Sequence, residues 1–153
     1  MLVKTKFFNE VEIDESSKVI FADGIPGFKE LKEYVLIKPD DETDFSYLQS
    51  LENEGICFIV VPPAILVGNY DIEISDDTVK KLNIEKPEDV ELYTILTIPE
   101  DIRAMTANLK APVLINRKNN MAVQEILEDD EYSIKHRVIK EGDLLACSDK
   151  EKR

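Results

Sequence analysis

Residues 56–63 read Ile-Cys-Phe-Ile-Val-Val-Pro-Pro, and this stretch sets the expectation for the fold. β-Branched and aromatic residues dominate it and two prolines end it, which predicts a buried β-strand. The stretch is far shorter than the roughly 20 apolar residues that a membrane-spanning helix needs. Cys57 lies inside it, where a small hydrophobic role is favoured over a disulfide with Cys147, the other cysteine.

Short apolar segments of the same character recur on both sides of this strand, bounded by Gly, Pro, Asn or Asp as strands are. The predicted strands lie at residues 3–7, 10–14, 19–22, 34–37, 92–98, 113–115 and 132–134. Helices are predicted only as short pieces: one capped by Asp76 or Asp77 and reaching Leu82, one starting at Pro87, and a single turn at Phe28–Leu31. Many short strands with two or three short helices predict a mainly β protein, a small barrel or a sandwich.

The chain length predicts one domain. A chain of 153 residues buries about 70% of its unfolded surface, which is enough for a core without disulfides or metals. The last six residues are polar and mostly charged, so we expect a single β-barrel-like domain over residues 1–147 and a flexible charged tail over residues 148–153. Residues 1–8 lack the apolar segment of a signal peptide, which favours a cytoplasmic protein.

The charge balance restricts the classes of partner. Asp and Glu number 32 against 19 Lys and Arg, which gives a formal charge of −13. Because a hold on phosphates needs clustered basic side chains, we expect neither direct nucleic-acid binding nor binding to an anionic membrane. A basic protein is the favoured partner, and the strong negative charge favours a monomer.

Residues 24–28 read Gly-Ile-Pro-Gly-Phe and predict a type II turn. Pro26 presets φ for the second turn position and Gly27 supplies the positive φ of the third. We expect the turn to expose Ile25 and to set Phe28 on the sheet. A structural turn is favoured, with contact to a partner or ligand as the alternative, and the spacing fits no phosphate-binding loop.

An acidic segment, Asp40, Asp41, Glu42 and Asp44, leads into the aromatic residues Phe45 and Tyr47. Charge runs of this kind usually form a solvated loop. The alternative is a docking surface, because aromatic side chains beside uncompensated carboxylates suit a basic partner.

The residues for a catalytic, metal or cofactor site are sparse. His136 is the only histidine, and one His with two distant Cys cannot build a zinc site, so we expect no metal and no cofactor. A structural role is favoured for His136 over a catalytic one. Asn108 precedes a predicted strand and is expected to satisfy backbone groups in a turn rather than to hold a ligand.

Several segments taken in order resemble one known family, that of the flagellar assembly factor FliW. They are Gly24-Ile25-Pro26-Gly27-Phe28, Phe45 with Leu48-Gln49-Ser50, Thr106-Ala107-Asn108-Leu109 with Ala111-Pro112 and Ile115-Asn116, then Gln124, Tyr132 and His136. The resemblance runs from about residue 2 to residue 139. Lys29 and Lys110 depart from it, since an acidic and an apolar residue respectively are common at these positions.

The resemblance implies a small antiparallel pseudobarrel, OB-like, without enzymatic activity. It also implies that the protein binds the translational regulator CsrA, relieving repression of flagellin translation, and that it binds flagellin as the alternative partner. The candidate partner-binding residues are Ile25, Phe28, Asp40, Asp41, Glu42, Asp44, Phe45, Tyr47, Gln49 and Asn108. The competing hypotheses are a small barrel enzyme that uses carboxylates and His136, an OB-like nucleic-acid-binding module, and a chaperone of flagellin alone.

Overall fold

The computed structural model describes residues 1–38, 44–128 and 131–138, which form eleven β-strands and one α-helix. The strands are β1 Leu2–Thr5, β2 Asn9–Glu12, β3 Lys18–Phe21, β4 Glu33–Ile37, β5 Ser46–Ser50, β6 Cys57–Val61, β7 Val90–Thr97, β8 Thr106–Ala107, β9 Val113–Asn116, β10 Met121–Gln124 and β11 His136–Arg137. Helix α1 spans Asp76–Leu82. Among these residues no helix has the length and apolar character to cross a membrane.

Seven of the strands close into a barrel, in the order β7-β6-β5-β4-β3-β10-β9 and back to β7. Closure depends on β7, whose residues Val90 to Tyr93 pair with β9 while Thr94 and Ile95 pair with β6. All pairings in the ring are antiparallel except that of β3 with β10, which is parallel. The mainly β pseudobarrel expected from the sequence is therefore confirmed, with one parallel pair in its wall.

The core fills the inside of this barrel, and each of the seven strands contributes to it. The contributing side chains are Val19 and Phe21 from β3, Tyr34 from β4, Leu48 from β5, Val60 from β6, Tyr93 and Ile95 from β7, Val113 and Ile115 from β9, and Ala122 from β10. The rings of Phe21 and Tyr34 meet edge to face with centroids 5.2 Å apart. Because one cluster is built from every strand, the barrel packs as a single unit.

The turn at residues 24–28 forms as predicted, but its side chains are placed differently. The Phe28 N–H donates to the Ile25 carbonyl at 2.7 Å, and Gly27 has a φ of +90°. Phe28 is half-buried, with its ring 5.5 Å from that of Phe58. The expectation that the turn exposes Ile25 is wrong, since Ile25 is only 2% exposed and belongs to the core.

Three local predictions also differ from the structure. Residues 132–134 are not a strand: the Tyr132 ring packs 4.6 Å from that of Tyr70, and the strand in this part of the chain, β11, begins only at His136. Helix α1 is capped by Ser75, whose Oγ accepts from the Thr78 N–H, rather than by Asp76 or Asp77. Residues 87–89, which were predicted to begin a helix, form only a single 3-10 turn.

We predict that Gly24→Ala destabilises the protein more than Gly27→Ala. Both glycines have a positive φ, which costs a residue with a Cβ about 1–2 kcal/mol. A Cβ on Gly24 would also lie 2.5 Å from the Lys29 Cα and carbonyl oxygen, whereas a Cβ on Gly27 meets nothing within 4 Å. Urea unfolding of the two variants measures the difference, and equal losses would contradict the close approach at Gly24.

We predict that Tyr34→Phe raises the free energy of unfolding by about 1 kcal/mol at pH 7. The Tyr34 hydroxyl is buried and has no hydrogen-bond partner within the described ranges. Burial, with the nearby charges of Glu52 and Glu30, raises the pKa of Tyr34 from 10.0 to about 12. The folded protein therefore keeps this proton while the unfolded chain loses it, and stability falls as the pH rises from 10 towards 12.

The Tyr34→Phe variant lacks this hydroxyl, so its free energy of unfolding should fall less than that of the wild type between pH 10 and pH 12. Urea unfolding at pH 7 and at pH 11 checks both expectations. If the variant were less stable than the wild type at pH 7, the Tyr34 hydroxyl would have to form a hydrogen bond in the folded protein.

Candidate partner-binding surface

The β1–β2 hairpin forms its own two-stranded sheet and lies on the outside of the barrel. Its strands pair from Leu2 opposite Glu12 to Thr5 opposite Asn9. Asn9 adopts a φ of +58°, and the Thr5 hydroxyl accepts from the Phe8 N–H at 2.8 Å and donates to the Asn9 carbonyl at 3.0 Å. These bonds fix the turn at residues 6–8.

Gln49 on β5 connects this hairpin to the barrel. The Lys6 N–H donates to Gln49 Oε1 at 3.0 Å. Gln49 Nε2 lies within hydrogen-bonding distance of the carbonyls of Ser50, Glu54 and Ile56, at 3.0, 3.1 and 3.2 Å. The side chain is fully buried, and its amide oxygen and nitrogen are both hydrogen-bonded to backbone groups of the protein itself.

Four aromatic side chains, Phe7, Phe8, Phe45 and Tyr47, make up what we call the aromatic edge. The Tyr47 ring lies 5.7 Å from that of Phe7 and 4.8 Å from that of Phe8. Phe45 directly precedes β5 and is two residues before Tyr47 in the chain. Phe7 is 47% exposed and Phe45 is 37% exposed, so the hairpin turn and the start of β5 present apolar rings to solvent.

Charged side chains of both signs lie next to the aromatic edge. Lys6 Nζ lies 5.5 Å from the centroid of the Phe7 ring. Asp44 is exposed and directly precedes Phe45. Asp40, Asp41 and Glu42 lie outside the described residues. An exposed ring next to an exposed carboxylate is the combination that suits a partner with basic and apolar side chains.

The remaining predicted site residues lie elsewhere. Ile25 is in the core and Phe28 packs on Phe58. Asn108 Oδ1 accepts from the Ala111 N–H at 3.0 Å, while the Asn108 carbonyl accepts from the Thr94 hydroxyl at 2.8 Å. Asn108 thus satisfies backbone groups in a turn, as expected. The structure brings Tyr47 together with the hairpin, places Phe45 at the entry to β5, and leaves Ile25, Phe28 and Asn108 out of that surface.

Sequence reasoning missed Phe7 and Phe8 as surface residues, although a signal was present. A strand with one buried face alternates apolar and polar side chains, and adjacent phenylalanines break this rhythm. The break marks the end of β1 at Thr5 and the start of the turn.

The two groups with potential for chemistry are isolated from one another. His136 is half-buried and pairs with Ala107 across β8 and β11. Cys57 is half-buried on β6, and burial raises the pKa of its thiol to about 11, so the thiol stays protonated at neutral pH. Across residues 1–38, 44–128 and 131–138, no three His, Cys, Asp or Glu side chains come together in a way that could hold a metal ion.

Known proteins are similar to this chain in sequence and in fold. The family model described as "FliW protein" matches residues 2–138. A flagellar assembly factor FliW from Alkaliphilus metalliredigens is 42% identical over 142 residues, which covers 92% of this chain and 88% of that protein. The flagellar assembly factor FliW of Bacillus subtilis is 41% identical over 136 residues, with 89% and 95% covered. A crystal structure of the flagellar assembly factor FliW superposes with a TM-score of 0.86 at 38% identity, covering 92% of this chain and 99% of that one.

We predict that Gln49→Leu lowers the free energy of unfolding by about 2–3 kcal/mol, because it leaves buried backbone groups without a partner. The protection of the Lys6 amide against hydrogen exchange should be lost at the same time. Gln49→Glu is the matched variant: it keeps an acceptor for the Lys6 N–H but sets a carboxylate against three carbonyls. If Gln49→Leu kept both its stability and its Lys6 protection, Gln49 would not be what holds the hairpin.

Proposed function

Because the chain belongs to the FliW family of flagellar assembly factors, we propose that it works by binding proteins, with the translational regulator CsrA and flagellin as alternative partners. Binding to CsrA would relieve repression of flagellin translation, and binding to flagellin would release the regulator again. The protein acts in the cytoplasm and catalyses no reaction in this proposal. Membership of the family carries it, and two features of the chain support it.

The first supporting feature is charge. A formal charge of −13 suits a partner with a basic surface, and CsrA has one because it binds RNA. A protein of this charge bound to CsrA would also repel RNA phosphates, over a distance set by a Debye length of about 8 Å at physiological salt.

The second supporting feature is the aromatic edge. Exposed aromatic rings are enriched among the residues that contribute most to protein–protein affinity. Phe7 and Phe45 are exposed although the barrel core is complete without them. We therefore assign partner contact to Phe7, Phe45 and Tyr47, with Asp44 and the preceding acidic residues Asp40, Asp41 and Glu42 steering the approach.

We predict that Phe7→Ala and Phe45→Ala speed dissociation from CsrA or flagellin by about tenfold, because each removes a ring that fills a partner pocket. The melting temperature should stay within a few degrees, since neither ring belongs to the buried core of the barrel. Ile134→Ala is the matched control, as Ile134 is 59% exposed and lies outside the aromatic edge. Surface plasmon resonance with CsrA and flagellin of the same host, beside a thermal melt, measures both quantities.

The charge part of the same experiment replaces Asp40, Asp41, Glu42 and Asp44 by their amides. Association should slow at low salt, by about 0.2–1 kcal/mol per charge, and the difference should shrink as salt rises. Glu54→Gln with Glu100→Gln changes the charge at two exposed positions elsewhere and serves as the control.

Each outcome decides between the hypotheses. Binding to flagellin without binding to CsrA would favour the flagellin-only chaperone. Binding to neither partner would overturn the proposed function. Wild-type kinetics in all aromatic and amide variants would leave the partners in place but remove this surface from the assignment.

A further inference from the structure

A groove of about 830 Å³ lies away from the aromatic edge, between the segment before α1 and the segment after β10. It is formed by residues 69–76 on one side and residues 125–128 with 131–132 on the other. In the ring of seven strands, β10 is three pairings from β5, which is the largest separation the ring allows. The groove and the aromatic edge therefore belong to different sides of the barrel.

Two sets of hydrogen bonds hold the walls of the groove together. At one end, Glu125 Oε1 accepts from the Ser75 N–H at 3.2 Å and from the Thr78 hydroxyl at 3.0 Å. At the other end, the Tyr132 hydroxyl accepts from the Asp71 N–H at 2.9 Å and donates to the Asp71 carbonyl at 3.0 Å. The groove is thus held in shape by the fold, before any ligand arrives.

Carboxylates and isoleucines line the groove together. Its acidic lining residues are Asp71, Glu73, Asp76, Glu125, Glu128 and Glu131. None of the described residues in its lining is Lys or Arg. Ile126 is 66% exposed within this acidic setting. The second oxygen of Glu125, Oε2, is buried and has no hydrogen-bond partner within the described ranges. A ligand with cationic groups and apolar side chains matches this lining.

The backbone on both walls has unused hydrogen-bonding groups. Glu125 and Leu127 donate their N–H groups to Pro112 and Lys110, at 3.0 and 2.8 Å. Because backbone groups alternate in direction along such a segment, the N–H and carbonyl of Ile126 face away from Pro112 and Lys110. On the other wall, residues 72–74 lie between the two hydrogen-bonded ends, and their backbone makes no hydrogen bond within the described part of the chain. Backbone groups that are left unpaired on a fixed scaffold are available for pairing with an added peptide segment.

We propose that this groove docks an extended basic segment of a partner protein, which pairs through its backbone with Ile126 and residues 72–74. Side chains alternate along such a segment, so cationic ones reach the carboxylates while apolar ones cover Ile126. This site goes beyond the proposed function, because it is separate from the aromatic edge and its test uses neither CsrA nor flagellin.

The test titrates the ¹⁵N-labelled full chain with acetyl-Lys-Leu-Lys-Leu-Lys-Leu-amide and follows amide chemical shifts. We expect saturable changes concentrated at residues 71–76 and 125–128. The same peptide with alternate backbone nitrogens methylated keeps its charge and side chains but loses strand pairing, and should bind at least about tenfold more weakly.

Variants of the protein separate docking from simple charge attraction. Glu73→Gln with Glu128→Gln should weaken binding by up to about fivefold per carboxylate, and Ile126→Ser should weaken it further. Glu54→Gln with Glu100→Gln removes the same charge outside the groove and should leave binding unchanged.

Three results would overturn the proposal. They are shift changes spread over all acidic surfaces, equal binding of the methylated peptide, and no saturable binding of the unmodified peptide. Any of them would leave the proposed roles of CsrA and flagellin untouched, because those rest on membership of the family and not on this groove.

Discussion

The double pairing of β7 is the constraint on which the rest of the structure depends. Its first half pairs with β9 and its next residues pair with β6, so the sheet returns to itself and has no open edge within the ring. A closed ring encloses an interior, and that interior is filled by one residue cluster to which every strand contributes. Closure therefore explains why short strands suffice here: none has to be stable by itself.

Closure also decides where the protein can meet partners. With the inside filled by side chains, a partner can bind only on the outside of the barrel. The β1–β2 hairpin is one such addition, held by the Gln49 side chain, and it presents Phe7 beside the start of β5. The segments around α1 and after β10 form the other, held by Glu125 and Tyr132. Both surfaces consist of loops fixed by a rigid scaffold, an arrangement common in binding proteins.

The negative charge acts on both surfaces in the same direction. A formal charge of −13 raises the local concentration of basic partners and keeps polyanions away. Long-range attraction of this kind speeds encounter but distinguishes poorly between partners. If the two proposed surfaces bind partners, their specificity comes from short-range features, namely exposed rings at one surface and carboxylates with unpaired backbone at the other.

The sequence by itself determined the fold class, the turn at residues 24–28 and the net charge of −13, because strand rhythm, turn chemistry and net charge are local or additive properties. It did not predict β5, because Gln49 and Ser50 are polar and polar residues usually face water; here the hairpin and the backbone bury them. It placed Ile25 on the surface for a similar reason, since a turn is normally exposed. Only the tertiary structure joined Phe7 to Tyr47 and residues 71–75 to residues 125–128, because these contacts link segments far apart in the chain whose approach is set by barrel closure.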